Sequence, residues 1–392
     1  MIYLDYNATT PLGAAAREAM EPFLSTHYGN PSSVHAAGRE ARAAIDDARD
    51  RLADLLGAKS HELIFTSSGT ESNNLAVLGL ARTHAGRGRH LICASTEHHA
   101  VLNAFEHLRD REGFDVTFLP VDRHGLIDAD ELTRAIRRDT ILVSIMTANN
   151  ETGVLQPIAE LARLCEERGI LLHSDMVQSF GKIETDLSRS SLAGASFAAH
   201  KFYGPKGAGL LYLRAGIPIE PIQFGGAHEN QRRPGTENVA AIAGMAAAAE
   251  CVLRDRVEEQ KREAALRDDL WEKISAACPD AIRNGDGAPC LANTLNVSFP
   301  GLSSETILMA LDLEGVCASS GSACMVGSVV ASHVLLAMGL PAELAGAAVR
   351  FSLGRETTAE EIEHAGRIIE RVIERVSSVN ASANEQLQGA AI

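Results

Sequence analysis

Apolar residues recur along the chain with two different periods, and their alternation predicts the fold. Between residues 36 and 56, Ala37, Ala41, Ile45, Ala48, Leu52 and Leu55 fall on one helical stripe, and Gly57 supplies a stop. Residues 63–66 are a short apolar run of strand type, followed by a helical stretch over 72–85. Residues 90–94, 115–119, 140–145 and 170–174 are further strand candidates, with helical segments near 99–112, 129–138 and 157–168 between them. This is the rhythm of βαβ units, so the first two-thirds of the chain is expected to be α/β, with a mostly parallel sheet covered on both faces. After Thr236 the pattern changes. An Ala-rich and then charged helix over 238–276 leads out of the first unit, and residues 292–299, 307–317 and 345–376 predict a smaller α+β unit. Residues 377–392 are polar and Ala-rich and are expected to fray as a flexible tail.

Composition narrows the class. The chain has 392 residues, beyond the ~250–300 at which a single core stops growing, so two domains are expected. With 45% hydrophobic and 22% charged residues it is neither disordered nor collagen-like. The net charge of -15 argues against a nucleic-acid-binding surface, which needs clustered Lys and Arg, but leaves room for a local basic pocket. No apolar run reaches the ~18 residues of a bilayer span. The opening Met-Ile-Tyr-Leu-Asp-Tyr has no export pattern, so no membrane contact is expected. The seven cysteines (Cys93, Cys165, Cys251, Cys278, Cys290, Cys317 and Cys324) are odd in number and form no Cys-x-x-Cys pair. A disulfide framework or zinc cluster is therefore not expected, a reducing cytoplasm is, and any one thiol is a candidate working residue.

Three stretches carry candidate chemistry. The first is Ser196-Phe-Ala-Ala-His-Lys-Phe-Tyr-Gly-Pro-Lys-Gly207. Lysine is scarce in this chain, the others being Lys59, Lys182, Lys206, Lys261 and Lys273. A His-Lys pair in an apolar, glycine-rich stretch fits a partly desolvated amine able to form a Schiff base; a surface turn with two lysines fits it too. The second is Phe65-Thr-Ser-Ser-Gly-Thr-Glu-Ser-Asn-Asn74, where a strand ends in small hydroxyl residues and a helix begins. Free N–H groups at such a start bind phosphate, although an ordinary helix cap by Ser68 or Thr70 has the same sequence. The third is His173-Ser-Asp-Met-Val-Gln178, with an acid just past a strand's C-terminal end. A carboxylate there can keep a ring nitrogen protonated, or can simply shape a turn.

Taken together and in this order, the three stretches resemble the class V aminotransferase group of fold-type I pyridoxal 5'-phosphate (PLP) enzymes. The chain is most similar to the NifS/IscS-type cysteine desulfurases. The likeness runs from Tyr3-Leu-Asp-Tyr-Asn-Ala-Thr-Thr-Pro11 to Arg350-Phe-Ser-Leu-Gly-Arg355. It passes through Tyr28-Gly-Asn-Pro-Ser-Ser33, Thr96-Glu-His-His-Ala-Val101, Asn149-Asn-Glu-Thr-Gly153, Arg233-Pro-Gly-Thr236 and Ser319-Ser-Gly-Ser-Ala-Cys324.

The resemblance implies a large PLP-binding domain over residues 16–254 with a mostly parallel seven-stranded sheet. It implies a small α+β domain from residues 1–15 and 255–376 that carries the cysteine loop. It also implies roles. Lys201 would hold the cofactor covalently and later take the substrate Cα proton. His98 would stack on the ring and assist proton transfer, Asp175 would keep the ring nitrogen protonated, and Gln178 would hydrogen-bond the phenolic oxygen. Gly69, Thr70 and His200 would bind phosphate, and Thr236 would reach the phosphate of the partner subunit in a homodimer. Asn150 and Arg350 would orient the carboxylate of L-cysteine, with Asn30 beside them. Cys324, in a run of small residues, would take the sulfur as a persulfide, leave L-alanine, and pass the sulfur to an acceptor protein. Iron–sulfur cluster, thio-cofactor or tRNA biosynthesis would be the destination.

Some positions depart from the family pattern. Ala198 stands where a phosphate-binding serine is common, and one neutral hydrogen bond, about 0.5–1.5 kcal/mol, would be lost. Met176 replaces a usual alanine and is expected to crowd the ring. Met325, Val326 and the run Val329-Val-Ala-Ser332 make the region after Cys324 more apolar. The alternative within enzymes is a selenocysteine lyase or another class V aminotransferase-like enzyme. A non-catalytic scaffold would need none of Lys201, Asp175, His98, Cys324 and Arg350. A dinucleotide-binding fold lacks its Gly-x-Gly-x-x-Gly after the first strand.

Overall fold

The computed structural model describes residues 1–321 and 331–389, the side chains of 379–389 excepted, so Cys324 and the residues around it lie outside the described part. In chain order the strands are β1 (Ile2–Tyr3), β2 (Leu63–Thr66), β3 (His90–Ala94), β4 (Asp115–Leu119), β5 (Thr140–Ser144) and β6 (Leu171–Asp175). They continue with β7 (Gly194–Ala198), β8 (Gly209–Leu213), β9 (Ile282–Arg283), β10 (Thr294–Ser298), β11 (Val316–Cys317) and β12 (Ala348–Ser352). The helices are α1 (Ala14–Ser25), α2 (Ala36–Leu56), α3 (Gly69–His84), α4 (His99–Glu112), α5 (Ala129–Ala135) and α6 (Ile158–Glu167). After the large sheet come α7 (Val239–Ala277), α8 (Ser304–Leu313), α9 (His333–Ala337), α10 (Ala342–Gly346) and α11 (Ala359–Gly389).

Seven strands form one sheet in the order β2-β8-β7-β6-β5-β3-β4. Only β8 runs antiparallel to its neighbours in it. Every residue of β2, β3, β5, β6, β7 and β8 is buried. Successive side chains of a strand point to opposite faces, so one strand feeds two cores. Leu63 and Phe65 join Ile45, Leu52 and Met245 on one face, whereas Ile64 joins Leu75, Leu80, Val101 and Phe105 on the other. Burying each such side chain contributes about 1.5–3 kcal/mol, which is why these runs are continuously apolar. Because β2, β3, β5, β6 and β7 point the same way, their C-terminal ends deliver Gly69, His98, Asn150, Asp175 and Lys201 to one edge.

The smaller unit is an antiparallel sheet, β12-β10-β9, packed by α8, α11 and the last turns of α7. Leu270, Ile274, Leu295, Val297, Phe351, Ile362 and Ile369 form its core. The N-terminus belongs to it, since β1 pairs in parallel with β11 and Leu4 is fully buried in the same cluster.

The apolar stripe of α2 is observed at Ala41, Ile45, Ala48 and Leu52, while Ala37 is exposed, Leu55 is half-buried and Leu56 is buried, and Gly57 closes the helix at φ 65. Two features differ from the sequence expectation. Helix α3 starts at Gly69 rather than at 72, because the Ser68 hydroxyl accepts the Glu71 N–H at 3.1 Å and caps it. The backbone is helical to Gly389, so α11 runs on through most of the stretch expected to fray. Among the described residues no helix is long and apolar enough to cross a membrane.

Candidate active site

A cavity of about 440 Å³ lies where the strand ends meet the smaller unit. It brings together nine of the residues singled out in the sequence: Gly69, Thr70, His98, Asn150, Asp175, Gln178, His200, Lys201 and Arg350. Asn30 and Thr236 are exposed and do not line it. The Asn30 side chain accepts the Ser32 N–H at 2.9 Å instead of facing the pocket. Cys324 lies outside the described residues; Gly321 and Ser332, on either side of it, both rest on Glu151. A second cavity, about 460 Å³, is lined by Arg42–Glu237 and Arg49–Glu229 ion pairs and has no amine of this kind.

Asp175 ends β6 and is buried. Its Oδ2 accepts from Asn73 Nδ2 at 2.6 Å and its Oδ1 from the Val177 N–H at 2.9 Å. Burial pushes its pKa up, against the opposing pull of His98, these two donors and Lys201. A cation beside this carboxylate relieves that desolvation. His98 caps α4, with Nδ1 accepting the Ala100 N–H at 3.0 Å. That bond assigns the proton to Nε2, and burial holds the ring below its ordinary pKa, so the imidazole is neutral.

Lys201 follows β7 in a single 3₁₀ turn. Its Nζ donates to the carbonyls of Asn7 and Ala8, both at 2.7 Å. Gln178 Nε2 donates to the same Asn7 carbonyl at 2.8 Å. His200 is pushed down to about 4 by burial and by the nearby Lys201 and Lys206, and its Nδ1 sits 3.1 Å from Thr9 Oγ1. At Gly69 a Cβ would stand 2.7 Å from Val177 Cγ2, so only glycine lets the helix start come this close. The N–H groups of Gly69 and Thr70 have no intrahelical acceptor and border the cavity.

Arg350, on β12, is buried. Its Nη2 donates to Asp5 Oδ1 at 2.7 Å and its Nη1 to the Asn150 carbonyl at 2.9 Å, while its Nε has no partner among the described residues. Asn73 Oδ1 is a second buried atom without a partner. Helix-start N–H groups, a buried carboxylate, a lysine and a guanidinium Nε with no described partner in one cavity suit PLP with an amino acid substrate. Ala198 lines the pocket with a methyl group and adds no phosphate donor. The expectation for Met176 is corrected: it packs in the sheet core and does not line the cavity, so it does not crowd the ring.

Several residues escaped the sequence reading. Asn73, one helical turn after Gly69, holds Asp175. Asn7 touches Gln178, Lys182, Lys201 and Asn293. Glu97 is fully buried; its carboxyl accepts the Met146 N–H, and burial together with Asp175 pushes its pKa well up. His333 Nε2 donates to the Glu97 carbonyl oxygen at 2.9 Å, which requires N–H on that nitrogen. Asn73 and Glu97 stand inside motifs already noticed, at a helical spacing and beside His98. The contacts of Asn7 span most of the chain and leave no local signal.

A seven-stranded sheet of this order, with lysine, acid and helix start at one edge, defines a fold-type I PLP-dependent enzyme. Comparison with known proteins agrees. The family model described as aminotransferase class-V matches residues 2–364. A cysteine desulfurase IscS of Dictyoglomus turgidum is 46% identical over 384 residues, covering 98% of this chain and 97% of that protein. One from Methanosarcina thermophila is 41% identical over 97% of this chain and 93% of its own length. A solved NifS-like protein superposes with a TM-score of 0.89 at 37% identity, covering 95% of this chain and 99% of that one. A structure of SspA in complex with cysteine gives 0.80 at 36% identity, over 90% and 99%. The chain belongs to the class V aminotransferase family, among its NifS/IscS-type cysteine desulfurases.

Proposed function

We propose that this PLP-dependent cysteine desulfurase converts L-cysteine to L-alanine and carries the sulfur as a persulfide on Cys324 to an acceptor protein. The observation that carries the reading is the buried Arg350, its Nε without a partner among the described residues, in the same cavity as Lys201 and Asp175. A guanidinium so held suits a carboxylate, and charge-assisted bonds of this kind are the strong ones.

PLP bound at this site would supply a carbonyl for the substrate amine and a sink for the electron pair left at Cα. The chain's residues do the rest. Asp175, backed by Asn73, keeps the ring nitrogen protonated, and Gln178 donates to the phenolic oxygen. Gly69, Thr70 and His200 hold the phosphate. Arg350 and Asn150 hold the substrate carboxylate, so that the Cα–H faces Lys201 Nζ, which takes the proton. His98, with its proton on Nε2, moves a proton beside the ring. The Cys324 thiolate attacks the substrate sulfur. One C–S bond breaks and one S–S bond forms; the C–S electron pair stays with carbon, which takes one proton. No external oxidant is needed.

The working form is a homodimer. Tyr28, Val34 and Phe224 are 82%, 89% and 87% exposed, and a Ser32–His228 contact of 3.2 Å ties their two loops into one face. Thr236 is exposed on the second of these loops and serves the partner subunit's phosphate. A second copy covers this apolar face. The protein works in the cytoplasm; the six described cysteines are all free thiols. Delivery to iron–sulfur cluster assembly is the destination in keeping with the IscS relatives. The test is Cys324→Ala: the variant is expected to keep the cofactor colour and to release no sulfide or alanine from L-cysteine. Wild-type turnover in that variant contradicts the reading.

A further inference from the structure

Lys182 is the one lysine besides Lys201 that the fold buries against the cofactor site, and the reaction sketched above does not use it. It lies four residues beyond Gln178, in the turns that follow β6. Its Nζ donates to Gln178 Oε1 at 3.0 Å and to Asn7 Oδ1 at 3.1 Å. We propose that Lys182 is a positioning residue that sets the orientation of both amides, turning Gln178 Nε2 toward the cofactor's phenolic oxygen and Asn7 Nδ2 toward the substrate side. This rests on the assignment of Gln178 to that oxygen.

The argument is one of donors and acceptors. A side-chain amide has one accepting and one donating end, and turning it over exchanges them. An ammonium beside an amide can donate only to its oxygen, so the amide nitrogen faces the other way. For Gln178 the other way is the Asn7 carbonyl, 2.8 Å from Nε2, the same oxygen that Lys201 Nζ reaches at 2.7 Å. For Asn7 it is Thr294 Oγ1 at 2.9 Å and the Asn150 carbonyl at 3.3 Å. That carbonyl also accepts from Arg350 at 2.9 Å. One amine thus fixes an amide beside Lys201 and, together with Asn293 Nδ2, which donates to the same Asn7 Oδ1 at 3.1 Å, an amide beside Arg350.

Charge supports the same picture. Lys182 and Lys201 line a small cavity of about 30 Å³ together with Glu259 and Glu263 of α7, Tyr203 and Arg355. Burial pushes Lys182 down, Lys201 and Arg350 push it the same way, and Glu263 opposes them. Neutral or protonated, Nζ keeps the two N–H groups that the two amide oxygens need.

The test is PLP binding to the cofactor-free protein, followed by absorbance, for Lys182→Met, Gln178→Ala and the double variant. Each single change is expected to weaken PLP binding about tenfold, the effect of one buried group left unsatisfied. The double variant is expected to bind no more weakly than Gln178→Ala alone, because Lys182 acts through that amide. Wild-type affinity in Lys182→Met, or two losses that multiply in the double variant, overturns the proposal. Wild-type affinity in Gln178→Ala removes Gln178 from the cofactor site and the proposal with it. Lys182→Gln returns an N–H donor without the charge and is expected to recover most of the affinity. The same loss in Lys182→Gln as in Lys182→Met also overturns it, and melting of each cofactor-free variant separates misfolding from a local effect.

Discussion

The two sides of the active-site cavity are built differently. On the sheet side His98, Asp175 and Gln178 each have a partner close in the chain, Ala100, Val177 and Lys182, although Lys201, Gln178 and His200 also lean on Asn7, Ala8 and Thr9. On the other side Arg350, Asp5, Asn7, Asn150 and Thr294 come from distant segments and meet only in the folded chain. The sheet side is therefore organised in part once the sheet forms and is completed by the N-terminal segment over residues 7–9, whereas the other side depends wholly on docking of the smaller unit. A cofactor that stays bound belongs on the first side, and a substrate that comes and goes belongs on the second.

Four changes break or sharpen this contrast. The largest effect is expected from Lys201→Ala on the sheet side, which loses the visible absorbance of lysine-bound PLP and about 10⁴-fold of turnover. A variant that stays fully active would remove Lys201 from the chemistry. Arg350→Ala on the other side keeps the colour and raises KM about a hundredfold, on the order of 3 kcal/mol of charge-assisted bonding. Steady-state kinetics beside a spectrum separates the two sides; loss of colour here would mean they are not independent. Gly69→Ala forces a methyl against Val177 and is expected to cost about 1–3 kcal/mol in stability or PLP affinity, measured by melting and titration.

The smallest effect concerns His173 behind the sheet side. It is buried between Ser144 Oγ and Ser196 Oγ, each 2.9 Å away, and burial depresses its pKa from 6.5 to about 3. The unfolded chain takes a proton that the folded one refuses between those two values. The contribution of His173 is therefore fully present above pH ~6.5 and is lost as pH falls toward 3. Urea unfolding from pH 7 to 4 is expected to show this loss, and His173→Asn to flatten it.

Much of the sheet side was legible from sequence for the same reason that it is locally built. The α2 stripe, the strand ends at 94 and 175 and the His-Lys turn are short-range patterns, and the family likeness rests on such motifs. Strands β7 and β8 went unread because Gly-Ala-Ser-Phe-Ala has a single large apolar residue and Gly-Leu-Leu-Tyr-Leu follows directly on the glycine-rich His-Lys stretch. Met176 was misread because its position next to Asp175 says nothing of which face it takes; adjacent strand residues point to opposite sides. Asn7 stood inside a noticed motif but its role did not show, because its partners Gln178, Lys182 and Asn293 are far away in sequence; Lys182 is local to Gln178 yet its second partner, Asn7, is not.

The central claim is that sulfur from L-cysteine comes to rest on one thiol. The PLP-loaded protein is incubated with L-cysteine and digested without reductant, and the Cys324 peptide is weighed while alanine is assayed. The account predicts a mass gain of one sulfur on that peptide and on no other cysteine, in step with alanine. Alanine formed with Cys324 unmodified, or sulfur on a different thiol, contradicts it.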